Sequence, residues 1–129
     1  LQHDQVQGMK DGLIEAMEEV GDYKFLGRKL DGLDSKSAKD LIYQLIDQVP
    51  NAVVLVGLEA EGKAQLHMGI SKGIASKDGL DAGKMIRDIA RNIQGGGGGQ
   101  PFFASAGGKN ADGISAALEA AKELLSANT

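Results

Sequence analysis

Five consecutive glycines form the stretch of this sequence with the clearest chemical potential. Glycine loses more backbone freedom on folding than any other residue, so such a run suits positive φ angles or a close approach. Consecutive backbone N–H groups can form a concave seat for an anion. A chain that passes tightly over its neighbours would use the same composition. We predict a loop that binds phosphate, made of Gly95, Gly96, Gly97, Gly98, Gly99 and Gln100.

Cationic side chains flank the glycine run. Lys84, Arg87 and Arg91 are spaced by three and four residues, so they share one face of the helix predicted before the run. Asp88 lies among them and can pair with Lys84 or Arg91. A second glycine pair follows at 107–108. The predicted contact surface for a nucleic-acid backbone therefore adds Lys72, Lys77, Lys84, Arg87, Arg91 and Lys109 to the run.

Other kinds of site find little support in the residue pattern. The run lacks the Lys-Ser or Lys-Thr of a phosphate-binding Walker loop, and it follows a predicted helix instead of the strand of a dinucleotide fold. No pair of carboxylates stands out as acid and base. His3 and His67 are too isolated for a metal site, and we expect His67 to be a surface or half-buried strand residue. We predict no catalytic centre and no metal.

Composition sets further limits on function. The chain has 129 residues, no cysteine and only 4% aromatic residues, which argues against an aromatic platform for base stacking. Its net charge of −4 arises in residues 1–58, which carry six Lys or Arg against ten Asp or Glu, whereas residues 59–129 are balanced. The lack of cysteine fits the cytosol. No apolar stretch approaches membrane length, and the opening Leu1 suggests an excised fragment.

Periodicity gives the elements that position these residues. Val6, Met9, Leu13, Ala16 and Val20 form a heptad-like seam that predicts a helix over 3–20, which packs on an upstream segment, on a second chain or on its own domain. Further helices are predicted over 34–48, with an N-cap at Asp34, over 80–94 and from 112. Strands are predicted at 23–30, 52–58, 63–71 and 100–106, with a hairpin turn at Glu61-Gly62. The predicted fold class is α/β, a mixed sheet layered with helices and preceded by an N-terminal helix.

The stretch GGGGGQPFFASAGG at 95–108, followed by a helix rich in Ala and Leu, resembles the signature of the DHH-associated domain. The upstream stretches VVLVGLE, LHMGISK and GLDAGKMIRDIA agree with it. That domain closes bacterial alanyl-tRNA synthetases and also occurs in DHH-family phosphoesterases, and the five-glycine form is more similar to the synthetases. The resemblance implies a globular domain of this type over 22–129 and, over 1–21, the end of a helical segment that can support dimerisation.

The resemblance also implies a function and its partners. In the synthetases this domain is similar to an RNA-binding module that grips the outer corner of tRNA(Ala) and links aminoacylation with editing. Such binding would read shape and phosphates, without reading bases. The implied partners are tRNA(Ala), the catalytic and editing domains of the same cytoplasmic ligase and a second copy bound through the N-terminal helix, with no membrane. ATP, magnesium and zinc would belong to the full-length enzyme. The alternatives are the substrate-binding domain of a DHH phosphoesterase, or a dimerisation module only.

Overall fold

A six-stranded sheet with the strand order β1-β2-β3-β4-β6-β5 organises the chain. The computed structural model describes residues 2–75 and 80–127. Only β2 and β3 run parallel, and the other neighbouring pairs are antiparallel. In chain order the elements are α1 (Gln2–Glu15), β1 (Glu18–Val20), β2 (Tyr23–Lys29), α2 (Ser35–Gln48), β3 (Ala52–Ala60), β4 (Lys63–Ile70), α3 (Ala82–Ile89), β5 (Gly95–Gly99), β6 (Phe103–Gly108) and α4 (Ile114–Ala127).

Helix α2 covers one side of the sheet. It begins where the Asp34 carboxylate accepts the backbone N–H of Ser37 at 2.8 Å, which satisfies one of the free amides of the first turn. Its apolar stripe packs on β3 and β4, and α1 lies against it through Leu13. The fully buried side chains on this side include Leu41, Ile42 and Leu45.

Helices α3 and α4 cover the other side. The Asp81 carboxylate caps α3 by accepting the Lys84 backbone N–H at 3.1 Å. The helix buries Met85, Ile86 and Ile89 against the sheet, and a short 3-10 turn (Ala90–Ile93) leads from it to β5. Helix α4 packs through Ala117, Ala121 and Leu125. The cationic residues of α3 are consequently left on its outer surface.

The predicted fold class is confirmed, because the sheet is mixed, helices lie on both sides and a helix precedes it. The predicted turn at Glu61-Gly62 is also confirmed: both residues have positive φ, as the tight turns of hairpins require. The helix predicted over 3–20 is too long. It ends at Glu15, and Val20 is buried in β1 opposite Tyr23, because pairing with β2 gives that short segment a better partner than another turn of helix.

Candidate nucleic-acid interface

The glycine run is a β-strand and not a loop, so that prediction was wrong. Strand β5 pairs with β6 from Gly95 opposite Gly108 to Gly99 opposite Ala104, and it forms one edge of the sheet. None of the five glycines has a φ in the positive range, which excludes the predicted anion nest. The glycine pair at 107–108 belongs to β6. Pairing between the two glycine stretches satisfies backbone groups that a loop would leave open.

Three glycines of β5 are required by packing. A Cβ on Gly95, Gly97 or Gly99 would overlap the backbone of β6, with the nearest atoms being the carbonyl oxygens of residues 107, 105 and 103. The compact contact between β5 and β6 therefore excludes every larger residue at these three positions. The sequence composition indicated that another segment approaches the glycine run closely, and in the structure that segment is β6.

The free edge of β5 presents backbone groups to solvent. The Gln100 N–H donates to the Phe103 carbonyl at 2.8 Å, which identifies these two residues as a hydrogen-bonded pair of the ladder. Hydrogen-bonded and non-bonded pairs alternate in antiparallel sheets, so Gly96 and Gly98 also bond to β6. The N–H groups of Gly95, Gly97 and Gly99 then point away from β6. They are spaced about 6.8 Å apart along the strand.

Arg87 lies beside this edge. Its Nε donates to the Gly83 carbonyl at 3.2 Å and lies 3.6 Å from the place that a Cβ on Gly98 would occupy. The side chain is exposed and approaches β5 at Gly98. Gly83 itself leaves room for the end of β5, since a Cβ there would lie 2.9 Å from the Gly99 carbonyl oxygen. The structure thus places the Arg87 side chain next to the strand whose alternate amides point outward.

The other two cations of α3 differ in their ion pairing. Lys84 is exposed one turn before Arg87. Arg91 is exposed as well, but its guanidinium forms an ion pair with the Asp88 carboxylate and its Nε donates to the Asp88 carbonyl at 3.2 Å. Asp88 therefore competes with any phosphate for Arg91.

The remaining predicted residues lie at both ends of strands β4, β5 and β6, with Lys72 and Gln100 at one end and Lys109 at the other. Lys72 is exposed, with its Nζ 5.5 Å from the centre of the Phe102 ring. Lys109 is exposed directly after β6, and Gln100 is exposed at the end of β5. Lys77 lies outside the described residues. Contact of these residues with RNA stays a prediction.

Sequence reasoning missed a cluster of aromatic and polar side chains on the α2 side. His67 is only 7% exposed, more buried than expected, and its Nδ1 lies 2.8 Å from the Ser105 Oγ. The Phe103 ring stacks on the rings of both His67 and Tyr43, at centroid distances of 6.4 and 5.0 Å. Lys39 Nζ lies 5.6 Å from the centre of the Phe103 ring. Two features of the sequence could have indicated this cluster: the alternation of side chains along β4, and the i, i+4 spacing that puts Lys39 and Tyr43 on one face of α2.

Electrostatics keep the His67 imidazole neutral. Burial, and to a smaller extent the charge of Lys39, lower the pKa of His67 below its ordinary value. The Gln65 Oε1 accepts from the Ser35 hydroxyl at 2.5 Å and lies 3.3 Å from His67 Nε2. A carbonyl oxygen can only accept, so Nε2 carries the proton and Nδ1 accepts the Ser105 hydroxyl.

A groove of about 300 Å³ lies at the opposite edge of the sheet, between β2 and α4. Its floor includes Phe25 and Leu118, and an ion pair of 2.9 Å between Lys122 and Glu18 lies at its rim. Within residues 2–75 and 80–127, three or more His, Cys, Asp or Glu side chains are nowhere grouped as metal ligands. In the same described ranges, every helix is too short or too polar to cross a bilayer.

Comparison with known proteins identifies the family to which this fold belongs. The DHHA1 domain family matches residues 22–127, and the chain belongs to that family. Two similar curated proteins are alanine–tRNA ligases: that of Christiangramia forsetii is 41% identical over 122 residues, which are 95% of this chain and 14% of the relative, and that of Trichodesmium erythraeum is 39% identical over 115 residues, or 89% and 13%. The chain thus spans about one seventh of the length of these relatives.

A solved structure shares the fold closely. The C-Ala domain of the Aquifex aeolicus alanyl-tRNA synthetase superposes with a TM-score of 0.78 at 29% identity, covering 85% of this chain and 97% of that domain. A DHH-domain protein described as a member of the s1p family of ribosomal proteins shows a TM-score of 0.60 at 17% identity over 95% of this chain and 31% of its own length, which shows a common fold alone. The resemblance identified from the glycine signature is confirmed.

Proposed function

We propose that this chain is the C-terminal, tRNA-binding domain of an alanine–tRNA ligase, and that it grips the outer corner of tRNA(Ala) along the free edge of β5. The names of the relatives and of the C-Ala neighbour support the ligase over a phosphoesterase. In the whole cytoplasmic enzyme, such a grip would hold one tRNA for both aminoacylation and editing. ATP, magnesium and zinc would then act in other parts of that enzyme.

One observation carries the proposed contact: Arg87 lies along a glycine strand whose alternate amides point outward. Outward N–H groups and a guanidinium are both donors to phosphate oxygens. The strand has no side chains, so a sugar-phosphate chain can approach the amides directly. Lys84 and Lys109 extend the cationic surface on either side of this edge. Binding of this kind follows backbone shape and carries no base reading.

Salt dependence of tRNA binding tests the proposal. Three to six phosphate contacts would give a slope of log K against log salt of about −2 to −5. We expect the triple variant Lys84→Glu/Arg87→Glu/Arg91→Glu to abolish retention of a tRNA(Ala) transcript at low salt. The matched control is Lys24→Glu/Arg28→Glu/Lys36→Glu, which makes the same change in net charge at exposed residues elsewhere. Equal loss in both variants, or loss in neither, would contradict the assignment of this surface.

A homodimer through α1 is part of the same proposal. Leu13 of α1 is buried against the α2 side, whereas Met9, Ile14 and Met17 are half-buried there. Those half-buried side chains leave apolar surface for a second copy. Sedimentation of the chain with and without residues 1–15 measures this, since the truncation keeps β1; a monomer before truncation would remove the dimer from the proposal.

A further inference from the structure

Strand β2 has an open edge over residues 26–29. Strand β1 pairs with only the first three of its seven residues. The Lys24 and Leu30 N–H groups donate to carbonyls on the β3 side, so the even-numbered residues of β2 direct their backbone groups towards β3 and the odd-numbered ones away from it. The N–H and C=O groups of Gly27 and Lys29 therefore point to a side that β1 leaves uncovered.

The groove of about 300 Å³ between β2 and α4 continues the line of β1 along this open edge. Glu18, the first residue of β1, lines the groove together with Gly27, Leu118 and Ala16, the residue that follows α1. Gly27 has no side chain to fill it, and from the described ranges no backbone hydrogen bond outside the ladders of the sheet reaches Gly27. The groove therefore offers space and backbone partners to one more strand.

The residues that precede β1 fit this edge in the register that β1 already has. Each step back along β1 meets one step forward along β2, from Val20 opposite Tyr23 to Glu18 opposite Phe25. Three further steps place Met17 opposite Leu26, Ala16 opposite Gly27 and Glu15 opposite Arg28. Ala16 and Gly27 then form a hydrogen-bonded pair of the antiparallel ladder, because bonded pairs recur at every second position.

The side chains agree with this register as well. Met17 and Leu26 already pack in the same core cluster on the α2 side, which is the side that directly opposite residues must share. Arg28 and Glu15 are both exposed, and Arg28 forms no ion pair with any residue that the structure describes. Pairing in this register would bring these opposite charges next to each other.

The end of α1 is a weak piece of helix. A Cβ on Gly8 or Gly12 would meet no atom within 4 Å, so packing requires glycine at neither position, and both glycines destabilise the helix. The Ala16 N–H closes the last turn by donating to the Gly12 carbonyl at 3.1 Å. Extension of β1 would move this donor from the Gly12 carbonyl to the Gly27 carbonyl, which exchanges one backbone hydrogen bond for another.

We infer that residues 15–17 form a helix-to-strand switch: they either close the end of α1 or extend β1 along the open edge of β2. In the strand form Ala16 lies in the groove opposite Gly27, and Glu15 pairs with Arg28. The remainder of α1 then leaves the sheet about 10 Å farther along β2, because three strand residues span that length. The switch concerns the edge of the sheet opposite β5, so it needs no RNA.

Amide exchange of Gly27, compared with that of Lys29, tests the switch. In the strand form the Gly27 N–H donates to Ala16, whereas the Lys29 N–H stays open in both forms and is the internal reference. Ala16→Val favours the strand form because a β-branched residue prefers strands, and we expect Gly27 to exchange about fivefold more slowly than Lys29, after correction for intrinsic rates, in hydrogen-exchange NMR. Gly12→Ala strengthens the helix by about fivefold in the equilibrium and should reduce this difference.

A charge reversal and its repair supply the matched pair of variants. In the Ala16→Val background, Arg28→Glu sets like charges opposite each other, and we expect it to reduce the protection of Gly27 about threefold. Adding Glu15→Lys should restore it. Slow amides of β3 check that each variant stays folded. Equal exchange of Gly27 and Lys29 in the Ala16→Val variant would overturn the switch, and so would protection that neither the reversal nor its repair alters.

Discussion

The two edges of the sheet differ in how they meet solvent. Strand β1 has three residues, its Glu18 and Glu19 are exposed, and an ion pair ties Glu18 to Lys122. Short length and charge are the usual protection of an edge against unwanted pairing. Strand β5 is longer, carries no side chain and has Arg87 beside it. An unprotected edge is a liability in a protein with no use for it, so the contrast supports the proposal that β5 is the RNA-binding edge.

The same contrast is consistent with the proposal that this acidic chain binds a polyanion. The overall charge of −4 is concentrated in the first 58 residues, which include the acidic β1 edge. The cations of α3 lie at the opposite edge, five strand positions away in the sheet order. Net charge is therefore a poor guide here, because the surface is divided between the two edges.

Breaking β5 itself should give the largest effect. Valine at Gly97 would overlap the Ser105 carbonyl and Ala106, so we expect Gly97→Val to lower the free energy of unfolding by about 2 kcal/mol and to abolish tRNA binding. Urea unfolding followed by circular dichroism measures the stability. The control is Gly96→Val, one residue away, where a Cβ has open space. Equal destabilisation by both substitutions would contradict the packing requirement for glycine at position 97.

Removing one carboxylate from each edge should sharpen the contrast. Asp88→Asn frees Arg91 from its ion pair, and we expect about threefold tighter tRNA binding at low salt, with the gain lost at high salt. Glu18→Gln is the matched control, since it removes the same charge from an ion pair at the β1 edge. Equal gains, measured by fluorescence anisotropy, would mean that net charge alone decides and that the edges do not differ.

The smallest effect concerns His67, whose pKa is lowered in the folded chain by burial and by Lys39. As pH falls, the unfolded chain takes up a proton near the ordinary pKa of about 6.5 before the folded chain does. This contribution to stability is present above that pH and is lost as pH falls towards the lowered value. Between pH 7.5 and 5.5, His67→Gln should flatten the pH dependence of the urea midpoint. An unchanged profile would contradict a neutral His67.

Local signals in the sequence predicted the parts of the fold that local chemistry decides. The Asp34 cap, the Glu61-Gly62 turn and the apolar strand at residue 52 and beyond are as predicted. Helix α1 ends early because Val20 finds a partner across a turn, which a heptad seam does not reveal. Strand β5 was missed because glycine has low strand propensity, and only hairpin pairing with β6 overrides it.

The candidate site was predicted only in part for the same reason. The i, i+3 and i+4 spacing gave the common exposed face of Lys84, Arg87 and Arg91 correctly. Contact between Arg87 and β5, and the ion pair that occupies Arg91, depend on side-chain geometry. His67 and Ser105 are 38 residues apart, and only the register of β4 with β6 brings them together.

The ladder between β5 and β6 has a consequence for solvent exchange. Amide hydrogens of Gly96 and Gly98 are held by β6, whereas those of Gly95, Gly97 and Gly99 have water on the open side. Deuterium should therefore enter five chemically identical neighbours at alternating fast and slow rates. If RNA slows the exchange of the three fast amides, their exchange rates will report directly on RNA bound at β5.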